Sequence, residues 1–131
     1  MPAEALAAAR SARDFTIREG FVTIPEAARL AHIEMVDDEM ARSYPFAAYS
    51  YRRATAEGES GRYVVSPGAT WMNEKEREER LEGNCRAWTR VVAPHETWPG
   101  HHLQIWTADH MTSRVRREAS GVYVELFPGA L

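Results

Sequence analysis

Four of the five histidines in this chain fall between residues 95 and 110, and a Pro-Gly pair at 99 and 100 interrupts them. That interruption constrains the fold more than any other feature. Proline lacks the backbone donor that a helix needs, and glycine relaxes the backbone, so a regular helix through this stretch is expected to kink or bulge. On an unbroken helix His101 lies about 120° around the axis from His95, at 3.6 residues per turn. His102 returns to the His95 face, but about 10 Å along it. A distortion at Pro99-Gly100 is what would swing His101 back toward His95. Pro94, directly before His95, is expected to disturb the helix that carries Val91 through Glu96.

Propensity and periodicity place the other elements. Ala3 to Arg18 reads as a helix stopped by Gly20. Phe21-Val22-Thr23-Ile24 is a β-prone run closed by Pro25. From Glu26 to Tyr44, Ala27, Leu30, Ile33 and Met40 have helical spacing, while His32 to Val36 also alternates as a strand would; helix is the preferred reading. Pro45 to Tyr51 reads as a strand, Glu57 to Gly61 as a turn, and Tyr63-Val64-Val65 as a second strand ended by Ser66-Pro67-Gly68. The two strands form an antiparallel hairpin with an open edge.

Asn73 is a good N-cap, with Glu76 placed to complete a capping box. Leu81, Cys85, Trp88 and Val92 then share one apolar face, so this helix is predicted to continue past Gly83 with Cys85 buried. Glu74 to Glu82 is a charge run of the kind found on solvated helix faces. A further helix is expected from His101 to Arg117, with Leu103, Trp106 and His110 on one side and Arg114, Arg116 and Arg117 at its C-terminal end. Gly121 breaks it, and Val122 to Phe127 opens one more element.

At 131 residues the chain suits one modest domain. Its 44% hydrophobic and 27% charged residues exclude a disordered chain. A net charge of -3 argues against a nucleic-acid partner. The single cysteine, Cys85, rules out a disulfide framework and a Cys-rich zinc module. No apolar run approaches the ~20 residues of a membrane helix, so no membrane partner is expected. The N-terminus lacks the apolar core of a secretory signal, and a cytoplasmic location is the default expectation.

The chemistry concentrates in His95-Glu96-Thr97-Trp98-Pro99-Gly100-His101-His102-Leu103-Gln104. A His-Glu pair followed by further histidines is what hydrolytic zinc chemistry asks for. Neutral imidazoles bind a borderline-soft cation, and an adjacent carboxylate accepts a proton from the water that the cation activates. The usual H-E-x-x-H spacing is absent, because position 99 is proline. Paired histidines at a helix start also occur as plain polar surface, and His110 reads most simply as a helix-face residue.

This decapeptide resembles the hallmark H-E-x-x-P-G-H-H-x-Q of the bacterial domain-of-unknown-function family number 885, which is related to zincin-type metallopeptidases. Every fixed position is matched. Ile24-Pro25, Pro45-Phe46-Ala47-Ala48-Tyr49 and Gly61-Arg62-Tyr63-Val64-Val65 also look like the family's preceding region. Tyr123-Val124-Glu125-Leu126-Phe127 stands where the family has a stretch like F-V-E-G-W-A, with Leu126 and Phe127 in place of Gly and Trp. The resemblance spans nearly the whole chain, yet family members are several times longer. It therefore implies that residues 1–131 form a single partial, truncated domain.

The implied fold is α+β and mainly α, a zincin-like catalytic-domain fragment with a small antiparallel sheet. The implied activity is zinc-dependent hydrolysis of a peptide or small amide. In that reading His95 and His101 are metal ligands, with His102 the alternative to His101, Glu125 is the third ligand, and Glu96 is the general base. Tyr63, Val64 and Val65 are the candidate edge strand for extended substrate, against the alternative of a plain core strand. Gln104 is either outer-shell support for a ligand or a surface glutamine. Trp98 and Trp106 read as core or pocket-wall aromatics. The rival readings are a hydrolase of non-peptide esters or amides and a non-catalytic fragment that self-associates through exposed apolar faces.

Overall fold

The structure is a computed structural model that describes residues 2–29, 32–43, 46–51, 61–66, 68–113 and 115. The expected element Val122 to Phe127, the turn at 57–60, Arg114, Arg116, Arg117 and Glu125 lie outside the described residues.

The first helix, α1, runs Pro2–Glu19 and stops at Gly20, whose φ of 65° is the left-handed conformation that favours glycine. Its Ala5, Ala9 and Thr16 are buried at helical spacing. Residues 21–25 form no strand. Phe21 and Val22 stay exposed, and only Ile24 enters the core. β-propensity there has no neighbouring strand to pair with, and without a ladder it does not decide the structure.

The preferred helical reading of 26–44 fails for the same kind of reason. A 3-10 turn covers Glu26–Arg29, β1 covers His32–Met35, and a single helical turn, α2, covers Met40–Ser43. The strand alternation wins because β1 pairs in parallel with β3 (Gly61–Val65), from His32↔Arg62 to Met35↔Val65. On its other side β3 pairs antiparallel with β2 (Ala47–Tyr51), from Ala47↔Val65 to Tyr51↔Gly61. The hairpin is as expected, but the sheet is mixed rather than antiparallel, with order β1-β3-β2. Tyr63-Val64-Val65 is thus the central strand, not an edge. Both of its backbone edges are already taken, so it cannot add an extended peptide.

Alternation along β3 builds a core on each face of the sheet. Tyr63 and Val65 join Ala5, Ala9, Ile24 and Leu103 on one side, while Val64 joins Val36, Ala41, Ala48 and Met72 on the other.

Helix α3 spans Glu74–Gly83 and begins with the expected capping box, Asn73 accepting from the Glu76 N–H and Glu76 from the Asn73 N–H. It does not continue past Gly83. The buried Asn84 side chain donates to the Ser66 carbonyl at 2.8 Å, and α4 starts afresh at Arg86–Glu96. The anticipated apolar face is lost with that break: Leu81, Cys85 and Trp88 are exposed, and only Val92 is buried. Helix α4 passes through Pro94 without ending, so the expected disturbance there does not interrupt it. Helix α5, His101–Asp109, is shorter than expected and is capped by His110. The whole is a mainly helical α+β arrangement with a small three-stranded mixed sheet. Among the described residues no helix is long and apolar enough to cross a membrane.

Candidate functional site

The break between α4 and α5 is a tight elbow. After Glu96 the backbone turns at Thr97, passes the cis Trp98–Pro99 bond, and doubles back so that the Gly100 N–H donates to the Pro94 carbonyl at 3.2 Å. A Cβ on Gly100 would sit 1.7 Å from the His95 carbonyl oxygen, well inside contact distance. The residue must be glycine because of this close approach, not because of its φ, which is -80°. The fold-back places the His101 ring edge-on against the His95 ring, with centroids 4.7 Å apart. The distortion anticipated at Pro99-Gly100 therefore brings together the two histidines that a regular helix would separate.

The adjacent histidines 101 and 102 have opposite surroundings. His101 is half-buried, and its Nδ1 meets the Gln104 Oε1 at 3.2 Å. An amide oxygen only accepts, so Nδ1 carries the hydrogen and Nε2 carries the lone pair. That Nε2 is buried with no hydrogen-bond partner. Burial chiefly, and the nearby His95, lower the His101 pKa against the opposing effect of Gln104, a net lowering that favours the neutral ring. Gln104 thus engages the second nitrogen of His101, the contact considered for it from the sequence.

His102 is 2% exposed and uses both nitrogens inside the protein. Its Nε2 donates to the Ala28 carbonyl at 3.1 Å, and its Nδ1 lies 3.0 Å from the Tyr49 hydroxyl. Of the two candidates, only His101 presents a nitrogen without a partner. Trp98 is a core residue whose Nε1 donates to the same Ala28 carbonyl. His110 stacks on Trp106 at the far end of α5 and belongs to no cluster with the others.

Glu96 is 3% exposed although it ends a helix beside the exposed His95. Burial raises its pKa from an ordinary 4.5 to about 7, partly offset by a hydrogen bond from the Tyr49 backbone N–H. Its Oε2 has no partner. The fully buried Tyr63 lies near enough for the Glu96 charge to add to the burial that already raises the phenol's pKa. The elbow therefore brings two imidazoles together and carries, in the same short segment, a buried carboxyl group whose pKa burial raises to about 7.

Among the described residues no group of three His, Cys, Asp or Glu side chains is arranged to hold a metal ion. His95 and His101 make two of the expected ligands. Glu125, the expected third, lies outside the described residues. Tyr49 and the Ala28 carbonyl are participants that the sequence reading missed. Tyr49 had a signal only as a strand aromatic, and a backbone carbonyl has none.

Neither a curated protein nor a solved structure matches this chain. A family model described as "Bacterial protein of unknown function (DUF885)" matches residues 2–125, which cover the elbow and all of its partners. The chain belongs to the bacterial DUF885 family.

Proposed function

We infer that the elbow is the core of a metal-dependent hydrolytic site acting on peptide or small amide bonds. The observation that carries this reading is the pairing of unused groups: the partnerless His101 Nε2 beside His95, and the partnerless Oε2 of buried Glu96. Buried polar atoms without partners are uncommon, and one on each side of the same elbow suits a place where a ligand binds. These donors fit zinc, for which imidazole nitrogens and a carboxylate are ordinary ligands.

His95 and His101 would hold the ion, with Glu125 proposed as the third ligand. Bound there, zinc supplies Lewis acidity for the substrate carbonyl and for water. Glu96 supplies the base: the Tyr49 N–H fixes its carboxylate while Oε2 stays available to take a proton. A pKa of about 7 lets it both accept and return that proton near neutral pH. The sheet reaches Glu96 at the outer edge of β2, through the Tyr49 N–H, and β3, enclosed on both sides, takes no part in this reading. Non-peptide esters would satisfy the same site and are separated by parallel ester and peptide assays.

The test is metal content by mass spectrometry on protein purified without chelator. About one zinc per chain is expected, lost in His95→Ala, His101→Ala and Glu125→Ala but retained in a His110→Ala control. Well-folded protein without metal overturns the reading for this chain.

A second reading has its own observation. Phe15, Phe21, Trp88 and Val91 are all exposed, and a cavity of about 780 Å³ lies between α1 and α4. Exposed apolar surface of this kind suits self-association of a non-catalytic piece. Concentration-dependent mass in sedimentation equilibrium, without metal uptake, would favour it.

A further inference from the structure

His102 and Tyr49 connect three separate parts of the molecule through a few hydrogen bonds. The Ala28 carbonyl, in the 3-10 turn, accepts from both the Trp98 Nε1 at 2.6 Å and the His102 Nε2 at 3.1 Å. Because a carbonyl only accepts, the His102 hydrogen sits on Nε2, and in the neutral ring Nδ1 accepts from the Tyr49 hydroxyl. Trp98 and Tyr49 close around the imidazole edge-on, with centroids 5.2 and 5.7 Å away. His101 and His102 are therefore adjacent rings in opposite tautomers, one with its Nε2 lone pair unused and one with Nε2–H committed to the backbone.

Tyr49 also acts through its backbone. Ser66 N–H donates to the Phe46 carbonyl, so hydrogen bonding between β2 and β3 falls on alternate residues, and Tyr49 opposite Tyr63 directs its own N–H away from β3. That outward N–H is the one held by Glu96. One β2 residue thus grips the last residue of α4 through its backbone and the second residue of α5 through its hydroxyl.

We propose that Tyr49 and His102 are positioning residues, a strap across the elbow that holds the His101 ring against His95 with its Nε2 directed into the site. The strap rests on the functional reading above only for what the two rings bind; its geometric consequence stands without any ligand. Gly100 permits the fold-back, and local backbone bonds, Gly100 N–H to the Pro94 carbonyl and Leu103 N–H to the Thr97 carbonyl, set the turn, but neither ties the start of α5 to the sheet. The contact that does so is made one residue later, by a side chain tied to the sheet and to the 3-10 turn.

The experiment uses the full chain with Tyr49→Phe, which keeps the ring and the backbone N–H and removes only the hydroxyl. His102→Phe drops both hydrogen bonds at similar volume. Val64→Ala serves as a destabilised control in the core on the opposite face of the sheet. Three quantities are read: imidazole tautomers from long-range proton–nitrogen spectra, the nuclear Overhauser contact between the His95 and His101 rings, and zinc affinity by chelator competition.

Wild type should show Nδ1–H for His101 and Nε2–H for His102. Tyr49→Phe should lose the ring contact and bind zinc roughly tenfold more weakly, the low end of the range for outer-shell partners. Val64→Ala, with a comparable fall in Tm, should change neither. Tyr49→Phe that retains the ring contact, with zinc affinity within about twofold of wild type, overturns the strap. Wild type that takes up no zinc overturns the metal reading alone, and the ring contact then decides: lost in Tyr49→Phe it upholds the strap, retained it refutes it. If His102→Phe does not fold, Tyr49→Phe carries the decision.

Discussion

The helical half of this protein is broken twice, at Gly83-Asn84-Cys85 and at Thr97 to Gly100, and the two breaks have different causes. The second is written into the local chain. Proline removes a donor and glycine admits a close approach that no side chain would tolerate, so the turn is specified wherever those residues stand. The first is imposed from outside the segment. Asn84 gives its amide to the Ser66 carbonyl, a partner from the end of β3, and Gly83 packs against Phe46. A locally specified break can carry chemistry, because the turn is set within the segment and distant partners such as Tyr49 have only to fix the rings upon it. The elbow holds His95, Glu96 and His101, whereas the first break brings together no titratable cluster and leaves Leu81, Cys85 and Trp88 exposed.

The largest effect should come from filling the elbow. Gly100→Ala puts a methyl group 1.7 Å from the His95 carbonyl oxygen, where the neighbour is backbone and cannot step aside. The fold-back has to open, and a loss of about 4 kcal/mol is expected from urea unfolding, in the range reserved for strained or overpacked sites. The His95–His101 ring contact should vanish with it. A Gly100→Ala protein of wild-type stability would show that the elbow is not locally specified.

Next in size is Glu96→Gln. In the folded protein this carboxyl titrates at about 7 against an ordinary 4.5, so the folded state binds its proton more tightly than the unfolded chain does. Its share of stability is full below about pH 4.5, falls as pH rises, and is gone above about pH 7. The amide variant has no such loss. It should match wild type near pH 4 and exceed it by about 2 kcal/mol at pH 8, after allowance for an amide without full partners. Equal stability of the two at every pH would mean that Glu96 is not buried as described. On the proposed reading, with Glu96 as base, the same shift should make the hydrolysis rate climb through about pH 7.

These two effects bear on what a sequence of this kind discloses. The capping box at Asn73, the Gly20 stop and the elbow at Pro99-Gly100 all depend on residues within a few positions of one another, and all stand as expected. The strand pairing that local sequence does not disclose depends on distant partners. Strand β1 exists because the second edge of β3 captures it, thirty residues away, and that capture moves Tyr63 to Val65 from an edge to the centre. The site divides in the same manner. Pairing His95 with His101 was legible from the kink. Choosing His101 over His102 was not, because it turns on the Ala28 carbonyl and the Tyr49 hydroxyl, which no spacing within the decapeptide encodes.

The first break offers the converse tests. Asn84→Ala removes the donor to the Ser66 carbonyl and leaves that buried acceptor unpaired, for an expected loss of about 1–2 kcal/mol. The variant should also gain helix signal across residues 83–86, since the tertiary bond that interrupts the helix is gone. Loss of stability with no change in helicity would place the cause of the break in Gly83 instead.

Gly83→Ala separates the two explanations at the smallest scale. Alanine is favoured over glycine in a helix by up to about 1 kcal/mol, which would promote continuation of α3 into α4. The added Cβ would lie 3.0 Å from the Phe46 Cε1, an atom at the outer part of a ring that is 43% exposed and free to move by a few tenths of an ångström. The two contributions oppose each other, and a net gain of about 0.5 kcal/mol is expected, with the break retained. Retention is the informative part. If Asn84 holds the junction, a better helix former one residue earlier strengthens α3 without fusing it to α4. Should amide exchange in Gly83→Ala show one protected helix through residues 83–86, the junction would be glycine-made after all. Both breaks would then be local, and the elbow would owe its chemistry to residue types alone.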